Sequence, residues 1–191
     1  MKNINIELPE YIKNIDGLRN LVRYQTAPRV SQETVAEHSF FVTAYILKLK
    51  DYYDFNLEKA LRIAVLHDYA ESFISDVPHP IKKKFPLISS ELNKAEYEVN
   101  SSDISKNFAD WVNEMNNLSS PEGCIVAFAD ILSVLSYAKY EIELGNSKYM
   151  IEVLVNAKNR VYQMIDKCSQ YLKTDIYNNE TIKTLINEFC D

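Results

Sequence analysis

Residues 57–73, LEKALRIAVLHDYAESF, carry apolar side chains at helical spacing, with Leu57, Ala60, Leu61, Ala64 and Val65 forming a stripe. The same rows continue into His67, Asp68 and Glu71. Ionisable groups therefore stand where core residues belong, and burying them without partners is strongly unfavourable. A divalent metal ion compensates them most simply, because imidazole and carboxylate together bind such an ion tightly. Two other segments repeat the pattern. His38 shares a helix face with Val35, Val42, Ile46 and Leu49, and Asp130 is the only charged residue of GCIVAFADILSVLSYA, residues 123–138. Two His and two Asp suit Mn, Co, Fe, Ni or Zn, and octahedral coordination would leave positions for water or substrate.

Each of these residues has an ordinary alternative. His38 alone reads as a satisfied core histidine, and Asp130 alone as a salt-bridge partner of an arginine. The His67-Asp68 pair alone reads as a hydrogen-bonded cluster at a helix end. Three such coincidences on three buried faces favour the metal site.

The elements that must position these groups are helices. A first helix is expected over 8–24. Thr34 and Glu37 form a capping box that opens a second helix running to about Asp51. Asn56 caps a third, extending to residue 73, and Pro78 and Pro80 then force a loop. The charged stretch 88–117 reads as one surface helix. Ser120-Pro121-Glu122 starts another, which should stop at Gly145. Two more are expected over 147–173 and 179–189. No strict alternation predicts a strand. The expectation is a single all-α domain over 1–191, a helical bundle with its metal site between three core helices.

Composition sets the outer limits. The 191 residues carry a net charge of −6 with 47% hydrophobic and 25% charged residues, ordinary values for a folded globular protein. That acidity argues against nucleic-acid polymers and anionic membranes as partners. With three glycines in the whole chain, a glycine-rich phosphate loop is excluded. Cys124, Cys168 and Cys190 form no CxxC pair and read as thiols in a reducing compartment. The opening MKNINIELPEYIKN has no apolar signal core, and the apolar stretch Phe40 to Leu47 is too short to span a bilayer. A soluble, cytoplasmic protein is expected.

His38, His67-Asp68 and Asp130, in that order, form the H…HD…D pattern of the HD-domain metal-dependent phosphohydrolases. The segments RYQTAPRVSQETVAEHS, LHDYAESFISDVPHPIK and FADILSVLSYAKYEIELGN resemble, more closely, the bacterial 5′-deoxynucleotidase (YfbR-like) family over roughly residues 17–150. The resemblance implies His38, His67, Asp68 and Asp130 as ligands of one divalent metal, with Glu71 as the catalytic glutamate beside Asp68. It implies that Arg23 holds the 5′-phosphate and Asp76 contacts the sugar hydroxyl, with Lys82 within reach of phosphate. Tyr24 falls where the family usually has Trp beside the sugar, which weakens the expected preference for deoxy substrates. His79 reads as a surface residue near the entrance, and Lys82 to Lys84 as a solvated face able to steer anions. Glu71-Ser72 replaces the Glu-Asp doublet of alarmone hydrolases and so counts against that activity.

The implied reaction is hydrolysis of deoxyribonucleoside 5′-monophosphates by direct attack of water. Two alternatives stand beside it: a dATP-type triphosphohydrolase on the same fold, and a non-catalytic helical interaction module. The family likeness also implies a homodimer. Val153, Leu154, Val161, Met164 and Ile165 in the C-terminal helices serve either that interface or the core.

Overall fold

A computed structural model describes residues 7–172. Nine α-helices follow one another among them: α1 Leu8–Gly17, α2 Val35–Leu49, α3 Leu57–Leu66, α4 Glu71–Ile74, α5 His79–Lys84, α6 Pro86–Val99, α7 Lys106–Asn117, α8 Pro121–Glu143 and α9 Ser147–Cys168. A π-helical turn, Asn100–Ile104, lies between α6 and α7. The described residues contain no named strand and one isolated antiparallel bridge, Val22 with Thr34. The all-α expectation is met, and the expected helix over 179–189 lies outside the described residues.

α8 is the axis of the bundle and packs against α2, α3, α7 and α9. It begins where expected, with the Ser120 hydroxyl accepting the Gly123 N–H at 3.0 Å, and ends before Gly145, whose φ of +96° lies in the left-handed region. Gly123 permits close approach to the end of α7, since a Cβ there would stand 2.6 Å from the Glu114 carbonyl oxygen. α8 is long and apolar enough to cross a membrane, unlike the stretch Phe40 to Leu47. Yet 78% of its most apolar window is buried, so that apolarity is the bundle's core. Val161 and Ile165 of α9 are buried in this core and Leu154 and Met164 pack against it, while Val153 faces a cavity. Cys124 and Cys168 are free and buried, and Cys190 lies outside the described residues.

The helix boundaries depart from expectation at three places. α1 stops at Gly17, seven residues early, and Tyr24 has a φ of +57° that no right-handed helix accommodates. Residues 21–23 instead lie against 33–35: the Arg23 N–H donates to Glu33 C=O at 2.9 Å, and the Val35 N–H to Leu21 C=O at 2.9 Å. α3 stops at Leu66. Tyr69 and Glu71 then bond back three residues, to Leu66 and Asp68, so the chain tightens instead of continuing as α-helix. The His67 ring bonds the Ala64 carbonyl at 2.8 Å, which a continuing helix would offer to the Asp68 N–H. Val65 is 49% exposed, and the buried residues of α3 are Ala60, Ile63 and Ala64, not the expected stripe through Val65. The stretch 88–117 is two helices, because Ser105 is extended and caps α7 through the Phe108 N–H at 3.1 Å.

The segment between α1 and α2 is anchored to the far end of α8. Glu141 is fully buried, and its carboxylate accepts the Val30 and Ser31 N–H groups at 2.8 and 2.5 Å and the Asn146 amide at 2.6 Å. Tyr137 adds its hydroxyl to the Ser31 carbonyl at 2.8 Å. These groups facing Glu141 are all donors, so Glu141→Gln turns an amide NH2 towards at least one of them. Unfolding in denaturant should show E141Q less stable by about 1–3 kcal/mol, the cost of leaving one buried donor unpaired.

Candidate active site

Three helix segments bring four groups together. His38, on α2, is fully buried, and its Nδ1 lies 3.0 Å from the Ser133 hydroxyl on α8. His67 ends α3, and its Nδ1 meets the Ala64 carbonyl, which can only accept, so this nitrogen carries the hydrogen. Both Nε2 atoms therefore face inward. They are buried without a hydrogen-bond partner. His67 Nε2 lies 3.2 Å from Asp68 Oδ2, and His38 Nε2 lies 3.1 Å from Asp130 Oδ1 and 3.8 Å from Asp68 Oδ2. The ligand atoms of His38, His67 and Asp68 all fall within 4.8 Å of one another, and Asp130 joins them through His38.

The electrostatics of this group call for a positive charge. Burial, reinforced by Arg23, holds His38 down at about 4 despite Asp130 and Asp68, so near neutral pH the ring is neutral. Burial also opposes the charged form of His67, but the adjacent Asp68 outweighs it and raises the ring to about 9, so with no cation beside it this ring holds its proton at neutral pH. Burial disfavours the anion of Asp68 too, and His67, His38 and Arg23 overcome this and hold it far below the usual range. Asp130 falls to about 2, chiefly because the His38 ring beside it outweighs its burial. Inward imidazole nitrogens and ionised carboxylates are the donor set a divalent metal takes in place of protons, with each ring oriented through its other nitrogen. These residues fit a metal ion.

The floor of a cavity of about 690 Å³ opens beside them, with Asp68, Asp130, Glu71, Arg23 and Tyr24 among its lining. Glu71 is 8% exposed, and its Oε2 is buried without a hydrogen-bond partner. Burial, with Asp68 and Asp76 facing it, pushes its carboxyl up to about 9, well above an ordinary glutamate. It opens α4 instead of sharing one helix with His67, and still reaches the same cavity. Arg23 places Nη1 3.4 Å from Asp68 Oδ2 and Nε 3.5 Å from Glu33 Oε2. The Tyr24 ring stacks on Tyr137, with centroids 4.8 Å apart and planes 11° from parallel. Asp76 accepts the Tyr24 main-chain N–H, and burial raises its carboxyl.

α5 adds Lys82 and Lys83 to the cavity lining, with Lys82 Nζ 3.6 Å from Glu96 Oε1. His79 is exposed and lines the cavity, as expected of a residue near the entrance. The structure thus gathers Arg23, Tyr24, Glu71, Asp76 and Lys82 around one cavity, with His38, His67, Asp68 and Asp130 at its floor, while Lys84 is not among its lining.

Sequence reasoning missed Ser133, Tyr137, Glu33 and Arg160. The first two had a signal: they follow Asp130 by three and seven residues, on the same face of α8. Glu33 sits inside a quoted motif, but only the pairing of 23 with 33 reveals its partner. Arg160, on α9, brings Nη2 to 3.9 Å from Asp130 Oδ2, and in the sequence it is one more charge on an amphipathic helix.

Comparisons with known proteins give the family and the fold. The model of the family described as 5′-deoxynucleotidase YfbR-like matches residues 10–184. A 5′-deoxynucleotidase from Pasteurella multocida is 24% identical over 157 residues, covering 75% of this chain and 80% of the relative. A Pyrococcus horikoshii protein superposes with a TM-score of 0.72 at 25% identity, covering 94% of this chain and 99% of its own. The cyanophage S-2L HD phosphohydrolase DatZ, solved with dA and one catalytic Zn2+ ion, gives a TM-score of 0.63 at 17% identity and shares the fold, with 96% and 94% covered. The chain is a hydrolase of the YfbR-like 5′-deoxynucleotidase family with the fold of the HD-domain phosphohydrolases.

Proposed function

We propose that this enzyme releases phosphate from deoxyribonucleoside 5′-monophosphates, with His38, His67, Asp68 and Asp130 holding one divalent metal ion. The observation that carries this reading is the pair of buried, unpartnered Nε2 atoms facing two carboxylates at the floor of a cavity. The dA and zinc in the cyanophage neighbour support a nucleotide ligand and a single ion. The ion is drawn from Mn, Co, Fe, Ni and Zn, all of which suit a mixed N/O site. When bound, it supplies Lewis acidity for the phosphoryl group and lowers the pKa of water.

The chain's own residues do the rest. Arg23 offers a planar, bidentate donor to the 5′-phosphate and balances charge on the transferring group. Glu71 sits within the cavity beside Asp68 and handles the proton of the attacking water. Asp76 accepts a hydrogen bond from the sugar hydroxyl, and Lys82 adds positive charge to the cavity lining. Tyr24, fixed by its stack on Tyr137, stands beside the sugar. Its ring is smaller than a tryptophan, so the preference for deoxy over ribo substrates is weaker than a Trp would impose. Water attacks phosphorus directly, with the 5′-oxygen leaving, since Ser133 meets His38 at Nδ1 and not at the Nε2 that faces the carboxylates. The proposal includes a homodimer, from the family likeness, and a cytoplasmic location, from the cysteine usage.

The purified enzyme, stripped with a chelator, should lose phosphate release from dAMP, dGMP, dCMP or dTMP and regain it with Mn or Co. Tripolyphosphate released from dATP, with no phosphate from the monophosphates, would instead establish the triphosphohydrolase. Glu71→Gln should lower kcat by about 10²–10⁴-fold, the usual range for loss of a general base, with bound metal retained. Asp68→Ala should lose the metal as well, measured by elemental analysis. A chain that binds no metal and whose E71Q variant matches wild type in every assay would be the non-catalytic module.

A further inference from the structure

Glu33 is 6% exposed, and a carboxylate at that depth needs a reason. It lies opposite Arg23 across the short pairing of residues 21–23 with 33–35, where the Arg23 N–H donates to the Glu33 carbonyl at 2.9 Å. Their side chains meet as well, Arg23 Nε lying 3.5 Å from Glu33 Oε2, and both atoms are buried without a hydrogen-bond partner. The Arg23 guanidinium thus lies between two carboxylates, Glu33 on its Nε edge and Asp68 on Nη1.

The two carboxylates are not equivalent. Asp68 also faces the two imidazoles of the metal site, and its charge is shared with whatever cation they hold. Glu33 lies outside that group, and among the described residues its ion pair is with Arg23 alone. A guanidinium anchored at Nε keeps its terminal nitrogens in one plane and fixes where they point. We infer that Glu33 is a positioning residue: it fixes the Arg23 guanidinium by its Nε edge so that Nη2, which lies outside both of these pairs, presents to the substrate phosphate. This rests on Arg23 as the phosphate-binding residue.

Positioning and simple charge predict opposite signs. A buried anion beside an anionic substrate repels it, so if Glu33 acted only through its charge, removing that charge would lower KM. If Glu33 positions Arg23, removing it raises KM although the site becomes more positive. The test is steady-state kinetics on a deoxyribonucleoside monophosphate with the metal-loaded enzyme. Glu33→Ala should raise KM about tenfold or more, the equivalent of one charged hydrogen bond. Glu33→Gln keeps an acceptor for Nε–H and should fall between wild type and E33A.

The coupling is read in the Arg23→Ala background, where adding E33A should leave KM unchanged and should restore melting temperature lost when R23A strands a buried carboxylate. A lower KM in E33Q, or an E33A effect that persists undiminished in R23A, overturns the inference. If R23A itself leaves KM unchanged, the assignment of Arg23 fails. If R23A raises KM and both Glu33 variants match wild type, only the role of Glu33 fails. Should E33A not fold, the isosteric E33Q, alone and with R23A, carries the same comparison.

Discussion

An imidazole nitrogen and a carboxylate oxygen 3.1 Å apart set the terms for this molecule. His38 is buried beside Arg23, and both conditions keep its ring neutral, with Nε2 facing the ionised Asp130. His67 and Asp68 stand 3.2 Å apart, and there Asp68 makes the imidazole far more basic, so the ring itself carries positive charge when no cation is present. Two carboxylates in a low-dielectric interior need positive charge beside them. On the proposed reading a bound cation would supply it to both at once, and because the need is local the surrounding helices can pack to high density around it.

A single stripe of α8 builds most of the frame. Asp130, Ser133, Tyr137 and Glu141 recur at spacings of three and four, so they project from one face of the same helix. Asp130 belongs to the metal group, and Ser133 orients His38 through Nδ1. Tyr137 stacks on Tyr24, and Glu141 ties the Val30–Ser31 main chain to the helix end. The segment bearing Arg23, Tyr24 and Glu33 is not regular secondary structure, yet α8 holds it at two points. Its geometry relative to the metal site is therefore set by the rigidity of one long, buried helix. That is how a loop can offer a phosphate-binding arginine with the precision of a helix.

What the sequence discloses follows from where the information is local. A capping box, a Ser-Pro-Glu start and a glycine stop are decided within four residues, and each stands where expected. Ionisable groups on apolar faces are equally plain, so the four residues that the fold brings together, His38, His67, Asp68 and Asp130, are legible in the sequence alone. Expectation and fold part where distant residues decide local shape. Apolar periodicity alone carries α1 to residue 24, but the chain turns because 21–23 pair with 33–35. α3 reads as continuous to residue 73, but the His67 side chain takes a carbonyl from its own helix and the turn tightens. Glu33 and Arg160 illustrate the same limit, since each gains meaning only from a partner on another element.

The net charge of −6 first looks unsuited to a substrate that is itself a dianion. At the cavity the imbalance is sharper still, with Asp68, Glu71, Asp76, Asp130 and Glu33 gathered around Arg23, Lys82 and Arg160. The structure handles this in three ways. Burial and mutual repulsion push Glu71 well above the ordinary range, so it does not carry a full negative charge throughout the neutral region. Arg23 is matched to Glu33 through Nε and to Asp68 through Nη1, which balances charge on both sides and leaves Nη2 outside either pair. On the proposed reading Asp68 and Asp130 are left for the cation. An ion of charge +2 would then do more than chemistry here: it would convert a pocket that repels phosphate into one that accepts it. Metal and substrate affinity would be linked through that shared charge, each strengthening the other.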